Sequence, residues 1–510
     1  MRIAVVTPEV VPFSKTGGLA DVAGSLPRVF AEQGHQVAVF SPCYRAVMES
    51  GKYISFTHVE FPVKFGERIA VARLFRKRRA GVDYYFIENR EFFDRDQLYG
   101  TPAGDYPDNL ERFIFFCRAA LEAMIQLELV PEIIHCHDWQ AGLVPLYLRE
   151  LYARSPALSQ ARTAFTIHNL GYQGKFPGKL YPWLGLPWEY FTAQGLEFYG
   201  QISLLKAGLV HSDLLTTVSP TYAQEIQTPK FGFGLDGVLR ARAAGLHGIV
   251  NGIDGTVWNP ATDKALAQGY DARDRSGKAE AKQALMRELK LAGPDRPLLG
   301  MIARLSAQKG LELLMAVADR IVALGANLAV LGTGEEKYHK GLAGLQAKLP
   351  GQVSSILKFD EPLAHRIYAG ADLFLVPSQY EPCGLSQMIA LRYGTVPIGF
   401  RTGGLADTIV DPRDDAGRAN GFLFNEYTPA AFLERIGEAL KVWTDREIWD
   451  KLVTSGMEQD YSWRSSARQY LELFRQALER GPTETASRGT GEQPGQTRLD
   501  ASAAAQPRPD

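Results

Sequence analysis

Two segments of the chain combine basic residues with glycines in a way that suits a phosphorylated ligand. Residues 14–21, SKTGGLAD, lie between an apolar run and a stretch of helical periodicity. Paired glycines let a phosphate approach the backbone amides, the start of a helix contributes partial positive charge, and Lys15 contributes a full one. A tight turn with a solvated lysine would have the same sequence, so this segment alone does not decide the matter.

The second basic segment is residues 304–310, RLSAQKG, which follows the first strand of the second half of the chain. Arg304 and Lys309 thus occupy a position equivalent to that of Lys15. Each charge-assisted hydrogen bond to a phosphate contributes on the order of 1.5 to 3 kcal/mol, so two or three cations could hold a diphosphate. The sequence predicts two basic loops that face each other across a cleft.

A carboxylate accompanies a helix-opening turn in residues 378–386, SQYEPCGLS. Glu381 could accept hydrogen bonds from sugar hydroxyls, while the amides of Leu385 and Ser386 could donate to a phosphate at the start of the helix. The alternative is that Glu381 and Ser386 only cap the helix.

Short apolar runs that alternate with helical periodicity must position these segments. The runs are residues 3–7, 36–41, 132–135, 163–168, 214–218 and 248–250 in the first half, and 298–302, 328–331, 355–358, 373–376, 396–398 and 421–423 in the second. The alternation predicts an α/β protein with two doubly wound parallel sheets, which bind ligands at the carboxyl ends of their strands.

The same patterns predict four parts of the chain. Residues 1–250 form an N-terminal domain and residues 251–458 a C-terminal domain. Residues 459–480 form a terminal helix that packs back on the N-terminal domain. Residues 481–510 are rich in Gly, Pro, Ser, Thr and Ala and contain no aromatic residue, which predicts a disordered tail.

Charge and cysteine content argue against several classes of protein. Lys and Arg total 56 against 57 Asp and Glu, and a formal charge of -1 gives no field suited to a nucleic-acid backbone. No apolar run is long enough to span a bilayer, the four cysteines form no CxxC pair, and no targeting leader precedes the first strand. We expect a cytoplasmic protein with free thiols and neither nucleic-acid nor membrane partners.

Six motifs together resemble a known family. KTGGLADV, RLSAQKG and EPCGLSQM, with TIHNLGYQG, NGIDGTVWNP and RTGGLADT, are similar to those of bacterial glycogen synthases and plant starch synthases, from residue 1 to about Phe474. The resemblance implies a GT-B fold, with two Rossmann-like domains facing across a deep cleft. It implies transfer of glucose from ADP-glucose to the non-reducing end of an α-1,4-glucan with retention of configuration, without a cofactor or a metal.

The resemblance also implies residue roles. Donor binding would fall to Lys15, Gly18, Asn251, Arg304, Lys309, Phe359, Cys383, Gly384, Leu385 and Ser386, with Phe359 stacking on the adenine. The transfer site would contain Asp138, His168, Arg304, Lys309 and Glu381, and the acceptor would contact Tyr99, Trp139 and Asn169. Two positions depart from related proteins: Gln379 stands where relatives often carry arginine, and Ile389 where the wider superfamily often has a glutamate.

Four other motifs invite different interpretations. Residues 94–96, DRD, mimic a metal-binding pair, and residues 135–138, HCHD, a metal cluster, but we interpret both as metal-free. Residues 76–79, RKRR, are interpreted as a solvated turn, with contact to a polyanion as the alternative. Residues 332–335, GTGE, begin like a dinucleotide fingerprint but lack its third glycine. This partial fingerprint leaves an oxidoreductase with a nucleotide cofactor as one alternative to a transferase. The other is a non-catalytic glucan-binding protein that keeps the GT-B fold.

Overall fold

The computed structural model describes residues 1–50, 53–101 and 104–480, and the predicted tail lies outside the described residues. Strands of the first half are β1 (Arg2–Val6), β2 (Gln36–Pro42), β3 (Ser55–Phe65), β4 (Arg68–Arg79), β5 (Val82–Glu88), β6 (Gly100–Thr101), β7 (Gly104–Asp105), β8 (Ile133–His137), β9 (Arg162–Ile167), β10 (Lys175–Pro177), β11 (Glu197–Phe198), β12 (Gln201–Ser203), β13 (Leu214–Thr217) and β14 (Leu246–Gly248). Its helices are α1 (Gly18–Glu32), α2 (Arg45–Glu49), α3 (Arg90–Phe93), α4 (Asn109–Gln126), α5 (Val144–Glu150), α6 (Leu204–His211), α7 (Pro220–Glu225) and α8 (Asp236–Ala241).

The second half repeats the strand-helix alternation. Its strands are β15 (Leu298–Ile302), β16 (Asn327–Leu331), β17 (Val353–Ile356), β18 (Leu373–Val376), β19 (Val396–Phe400) and β20 (Phe422–Phe424). Its helices are α9 (Ser276–Glu288), α10 (Leu311–Ala323), α11 (Glu336–Lys348), α12 (Glu361–Gly370), α13 (Ser386–Arg392), α14 (Gly403–Thr408), α15 (Pro429–Thr444), α16 (Arg446–Met457) and α17 (Trp463–Glu479).

Two large sheets organise the chain. The first has the order β14-β13-β9-β8-β1-β2-β5-β4-β3 and is parallel except at its β5-β4-β3 edge, where the pairs are antiparallel. The second has the order β17-β16-β15-β18-β19-β20, and all its pairs are parallel. Strands such as β1 and β18 are apolar and buried because helices cover both faces of a parallel sheet. The predicted doubly wound α/β architecture is thereby confirmed.

The interpretation of residues 76–79 as a turn is wrong. They belong to β4, which pairs antiparallel with both β3 and β5. Arg76 and Arg78 face solvent and both form ion pairs with Asp83 on β5, at 2.7 and 3.4 Å. A strand with one solvated face accepts such charges, and cross-strand ion pairs stabilise it.

Helix α17 runs back onto the first half of the chain. Phe474 packs edge-on against Phe30 of α1 at 5.8 Å between ring centroids, and Tyr470 lies 5.4 Å from the ring of His135 on β8. The hydroxyl of Ser466 donates to the carbonyl of Val250 at 2.7 Å. The last described helix therefore ties the two halves together.

Candidate active site

The loop after β1 is shaped by a buried carboxylate that the sequence analysis missed. Glu9 is 4% exposed, and its carboxylate accepts hydrogen bonds from the backbone amide of Thr16, from the Thr16 hydroxyl at 2.5 Å and from the amide of Gly17 at 3.3 Å. The phenol of Tyr99 donates to the same carboxylate at 2.7 Å. Glu9 thus holds the glycine loop in place at the start of α1.

Lys15 and Gly18 lie on the open side of this loop. The Lys15 ammonium is 2.8 Å from the carboxylate of Asp21, and the lysine side chain is 53% exposed. A Cβ placed on Gly18 would lie 3.6 Å from Cδ1 of Leu385, which belongs to the second half of the chain. The first and third predicted segments therefore meet across the cleft between the halves.

The two segments of the second half are tied to each other. The amide of Gln379 donates to the carbonyl of Gln308 at 2.8 Å, and the Lys309 ammonium lies 2.5 Å from the Glu381 carboxylate. Arg304 is exposed, and its guanidinium donates to the phenol of Tyr172, in the first half, at 3.4 Å. Both predicted cations of this half therefore stand at the cleft.

Glu381 is a buried carboxylate, 7% exposed, in a tightly folded turn. Besides Lys309, the hydroxyl of Ser378 donates to it at 2.7 Å. Its backbone carbonyl accepts from the amide of Gly404 at 3.0 Å, and the next turn passes through Gly384 at a φ of 69°. Among the described residues no side chain caps α13, which follows at Ser386, so the capping alternative for Glu381 and Ser386 is wrong.

Asp138 is strained and buried at the end of β8. Its φ of 55° lies in the left-handed region, which is unfavourable for a residue with a Cβ and common at functional sites. Burial raises the pKa of its carboxyl to about 7; nearby Glu9 adds to this shift and the amide of His168 opposes it. That amide donates to Asp138 at 2.7 Å.

His168 stays neutral because of its surroundings. Burial lowers the pKa of its imidazole to about 3, and its Nε2 lies 2.9 Å from Nδ1 of His137. The neighbouring Asn169 accepts a hydrogen bond from the amide of Gly171 at 3.0 Å. Asp138, His168 and Asn169 thus form one polar group at the carboxyl ends of β8 and β9.

Three further predicted donor residues differ in exposure. Asn251 is buried, and its side-chain oxygen has no hydrogen-bond partner among the described residues. Burial raises the pKa of the adjacent Cys383 thiol to about 12, while hydrogen bonds from Asn251 oppose the shift. Phe359 precedes α12 and is 82% exposed, as a ring that stacks on a ligand must be.

The two aromatic acceptor candidates are less accessible. The ring of Tyr99 is partly buried, with its phenol on Glu9. Trp139 is 9% exposed and packs edge-on against Phe113 at 4.8 Å, and a Cβ on Gly174 would lie 2.4 Å from its ring. Trp139 is therefore built into the core, which leaves little of its ring open to an acceptor.

The motifs set aside in the sequence have structural partners. Asp94 and Asp96 both form ion pairs with Arg45. Across the described ranges, no group of three or more His, Cys, Asp or Glu side chains could hold a metal ion. Residues 332–335 form the loop after β16, whose Thr333 carbonyl accepts from the amide of Leu305 at 2.9 Å and so supports the Arg304 loop. In the part of the chain that the structure describes, no helix is long and apolar enough to cross a bilayer.

Comparisons with known proteins agree with this geometry. A family model described as the starch synthase catalytic domain matches residues 2–241, and a model of group 1 glycosyl transferases matches residues 283–453. A glycogen synthase from Syntrophotalea carbinolica is 49% identical over 482 residues, which cover 94% of this chain and 99% of that protein. The chain belongs to the glycogen and starch synthase family.

Solved structures of this family and of a distant relative show the same architecture. The catalytic domain of starch synthase IV from Arabidopsis thaliana, determined bound to ADP and acarbose, is 36% identical, with a TM-score of 0.86 and coverage of 94% of this chain and 99% of that one. Sucrose-phosphate synthase from Thermosynechococcus elongatus, at 19% identity and a TM-score of 0.58, shares the fold alone. This member of the glycogen and starch synthase family is therefore a retaining glucosyltransferase with the GT-B fold.

Sequence reasoning missed three residues that this family member places at the cleft. They are Glu9, Tyr172 and Tyr380. Glu9 had a usable signal, since it is a carboxylate in the first strand-to-helix loop, where ligands bind. Tyr172 and Tyr380 lie within the segments TIHNLGYQG and SQYEPCGLS, but their place at the cleft depends on how the two halves meet, which no local pattern shows.

Proposed function

We propose that this glucosyltransferase takes glucose from ADP-glucose and adds it to the non-reducing end of an α-1,4-glucan, releasing ADP. The observation that carries the proposal is that the Lys15 loop contacts the Glu381 to Ser386 turn of the other half, through Gly18 and Leu385. That turn is tied to the Arg304 loop by the hydrogen bond from Gln379 to Gln308 and by the pair of Lys309 and Glu381, so both basic loops border the same cleft. The related starch synthase IV was determined with ADP and acarbose bound.

The proposed role of Lys15, Arg304 and Lys309 is to stabilise the departing diphosphate. A leaving diphosphate gains negative charge as the glycosidic bond breaks, and preorganised cations near a developing charge accelerate such a step. Lys309 is paired with Glu381 and Lys15 with Asp21, and both Lys15 and Arg304 are exposed to solvent. Three cations supply the charge that a divalent metal supplies elsewhere, so the proposal requires no metal or other cofactor.

The proposed glucose site lies between Glu381 and the pair of Asp138 and His168. Retention of configuration requires a double displacement or attack on the face that the diphosphate leaves. Either path passes through an oxocarbenium-like state, which nearby negative charge stabilises. We assign Glu381 to hydroxyl binding and electrostatic support, and Asn251, with its unpartnered side-chain oxygen, to a sugar hydroxyl.

The proposed adenine site is the exposed ring of Phe359. The Cys383 to Ser386 turn would present backbone amides to the diphosphate, at the start of α13. A cytoplasmic location belongs to the same proposal, and the four buried free thiols support it because such thiols are typical of a reducing compartment.

The experiment that tests the proposal is transfer of labelled glucose to glycogen from ADP-glucose and from UDP-glucose, measured side by side. We expect incorporation from ADP-glucose at a higher kcat/KM than from UDP-glucose. No incorporation from either donor would refute the proposal.

A further inference from the structure

A row of exposed aromatic rings begins at the cleft and has no role in the donor site. Tyr172 is 52% exposed, Phe233 is 41% exposed and Tyr199 is 83% exposed. Large rings open to water are unfavourable, and a contiguous group of them marks a surface that binds something. These three rings and Tyr380 are here called the aromatic strip.

Contacts show that the strip is continuous. The phenol of Tyr172 accepts from Arg304, and a Cβ on the preceding Gly171 would lie 3.7 Å from both the ring of Phe233 and the phenol of Tyr380. Phe233 and Tyr380 have their ring centroids 5.9 Å apart. The strip therefore starts beside the donor loop and crosses from one half of the chain to the other.

The outer part of the strip lies on the small sheet β10-β12-β11. A Cβ on Gly234 would lie 2.9 Å from the ring of Phe198 and 3.5 Å from the ring of Tyr199. Phe198 is buried beneath and packs edge-on against Tyr199 at 4.8 Å. The rings thus lead away from the cleft along one surface.

The backbone holds two of these rings out under strain. Phe233 has a φ of 49° and Tyr199 a φ of 50°, in a region that aromatic residues rarely adopt. The buried amide of Gln173 fixes the first by donating to the carbonyl of Phe233 at 3.0 Å. Strain of this kind persists where the surrounding structure enforces it and is common at ligand sites.

We propose that the aromatic strip binds the α-glucan chain beyond the residue that accepts glucose. The inference rests on the proposed function, in which an α-glucan enters the cleft that Arg304 borders and accepts glucose there. A glucan chain offers apolar C–H faces that stack on aromatic rings and hydroxyls that remain in water, so it suits a strip whose rings are half open. Long acceptors contact the strip, whereas a disaccharide does not reach its outer end at Tyr199.

The test removes the rings without disturbing the backbone. Tyr199→Asn and Phe233→Asn replace each ring by a residue that tolerates a positive φ. The control is Tyr53→Asn, since Tyr53 is 88% exposed with a φ of 43° but precedes β3 at the far edge of the first sheet. Tyr199→Phe keeps the ring and should behave as the wild type.

Two measurements are made on the full chain: retardation in a native gel that contains glycogen, without donor, and KM for maltoheptaose and for maltose with ADP-glucose. We expect each Asn variant to lose glycogen retardation and to raise KM for maltoheptaose roughly fivefold per ring. KM for maltose and for ADP-glucose should stay within about twofold of the wild type in the Tyr199→Asn variant.

The inference would be overturned if all variants were retarded equally, or if KM for long and short acceptors rose together. Failure of the proposed function looks different: the wild type would be retarded by glycogen and transfer no glucose to either acceptor. In that outcome the strip is still supported as a glucan site if Tyr199→Asn and Phe233→Asn lose retardation while Tyr53→Asn and Tyr199→Phe keep it.

Discussion

Glu381 illustrates how one side chain can serve both structure and chemistry. It is buried, paired with Lys309 at 2.5 Å and hydrogen-bonded to Ser378 at 2.7 Å. Removing one partner of such a pair leaves the other charge uncompensated. A substitution at Glu381 must therefore remove the negative charge while keeping the hydrogen bonds that hold the turn.

We predict that Glu381→Gln lowers kcat about a hundredfold while leaving the fold intact. The amide oxygen of glutamine can still accept from Lys309, so the turn is kept while the negative charge is lost. Steady-state kinetics with ADP-glucose and glycogen measure the effect, and circular dichroism checks the fold. A variant with wild-type kcat would remove Glu381 from the transfer site.

Two histidines, the buried His135 on β8 and the partly buried His168 after β9, make stability depend on pH. Burial lowers the pKa of His135 and His168 to about 3, so both are neutral in the folded state while the unfolded chain protonates them below their ordinary 6.5. Their stabilising contribution is complete above pH 6.5 and is lost as pH falls toward 3. The carboxyl of Asp138 affects stability in the opposite direction. Because its pKa is raised in the folded state, it lowers the free energy of unfolding as pH rises from about 4 to about 7.

The free energy of unfolding should fall as pH is lowered from 6.5 to 4.5. We predict that His168→Asn reduces this slope by up to about 1.4 kcal/mol per pH unit, and that Asp138→Asn increases it. Denaturant unfolding at several pH values measures both slopes. Identical slopes in the wild type and the two variants would contradict the buried-neutral assignment of His168 and the raised pKa of Asp138.

At the scale of elements, two short helices from opposite halves cap each other. Glu225 at the end of α7 accepts from the Thr402 hydroxyl at 2.8 Å and the Gly403 amide at 3.0 Å, at the start of α14. In return, Asp407 of α14 accepts from the amide and hydroxyl of Thr221, at 3.0 and 2.6 Å, at the start of α7. Carboxylates at helix N-termini are favourable, and here all four hydrogen bonds cross between the halves.

We predict that Asp407→Ala lowers the free energy of unfolding by about 1 to 2 kcal/mol and raises KM for ADP-glucose, because the alignment of the two basic loops depends on this contact. The matched control is Asp445→Ala, which removes a cap within the second half, where Asp445 accepts from the amide of Ile448 at 3.3 Å. The control should lose similar stability with KM unchanged. Equal KM in both variants would show that the reciprocal caps do not align the donor loops.

Elements with strong periodicity were predictable from the sequence, and those defined by partners were not. The buried strand 298–302 matches its predicted position because apolar burial alone specifies it. The antiparallel strands β3 and β4 were missed, since charged residues such as Arg76 resemble a turn until their ion pairs are known. The reciprocal caps also have no local signal, because each carboxylate caps a distant helix.

At the scale of the whole molecule, the central feature is a cleft whose two sides come from different halves of the chain. The sequence indicated both basic loops, but neither periodicity nor composition specifies that Gly18 meets Leu385 or that Arg304 meets Tyr172. Those contacts depend on how the two sheets and their helices pack against each other. The exact boundaries of the predicted domains and the individual roles of the site residues stay predictions that mutation can test.

The most direct test of the two-sided cleft is kcat/KM for ADP-glucose in Lys15→Ala, with KM for glycogen measured in parallel. Lys15 lies in the first half, while Arg304 and Lys309 lie in the second, so a shared diphosphate site requires Lys15 for donor use. We predict that kcat/KM for ADP-glucose falls at least about tenfold while KM for glycogen is unchanged. An unchanged kcat/KM for ADP-glucose would contradict the account.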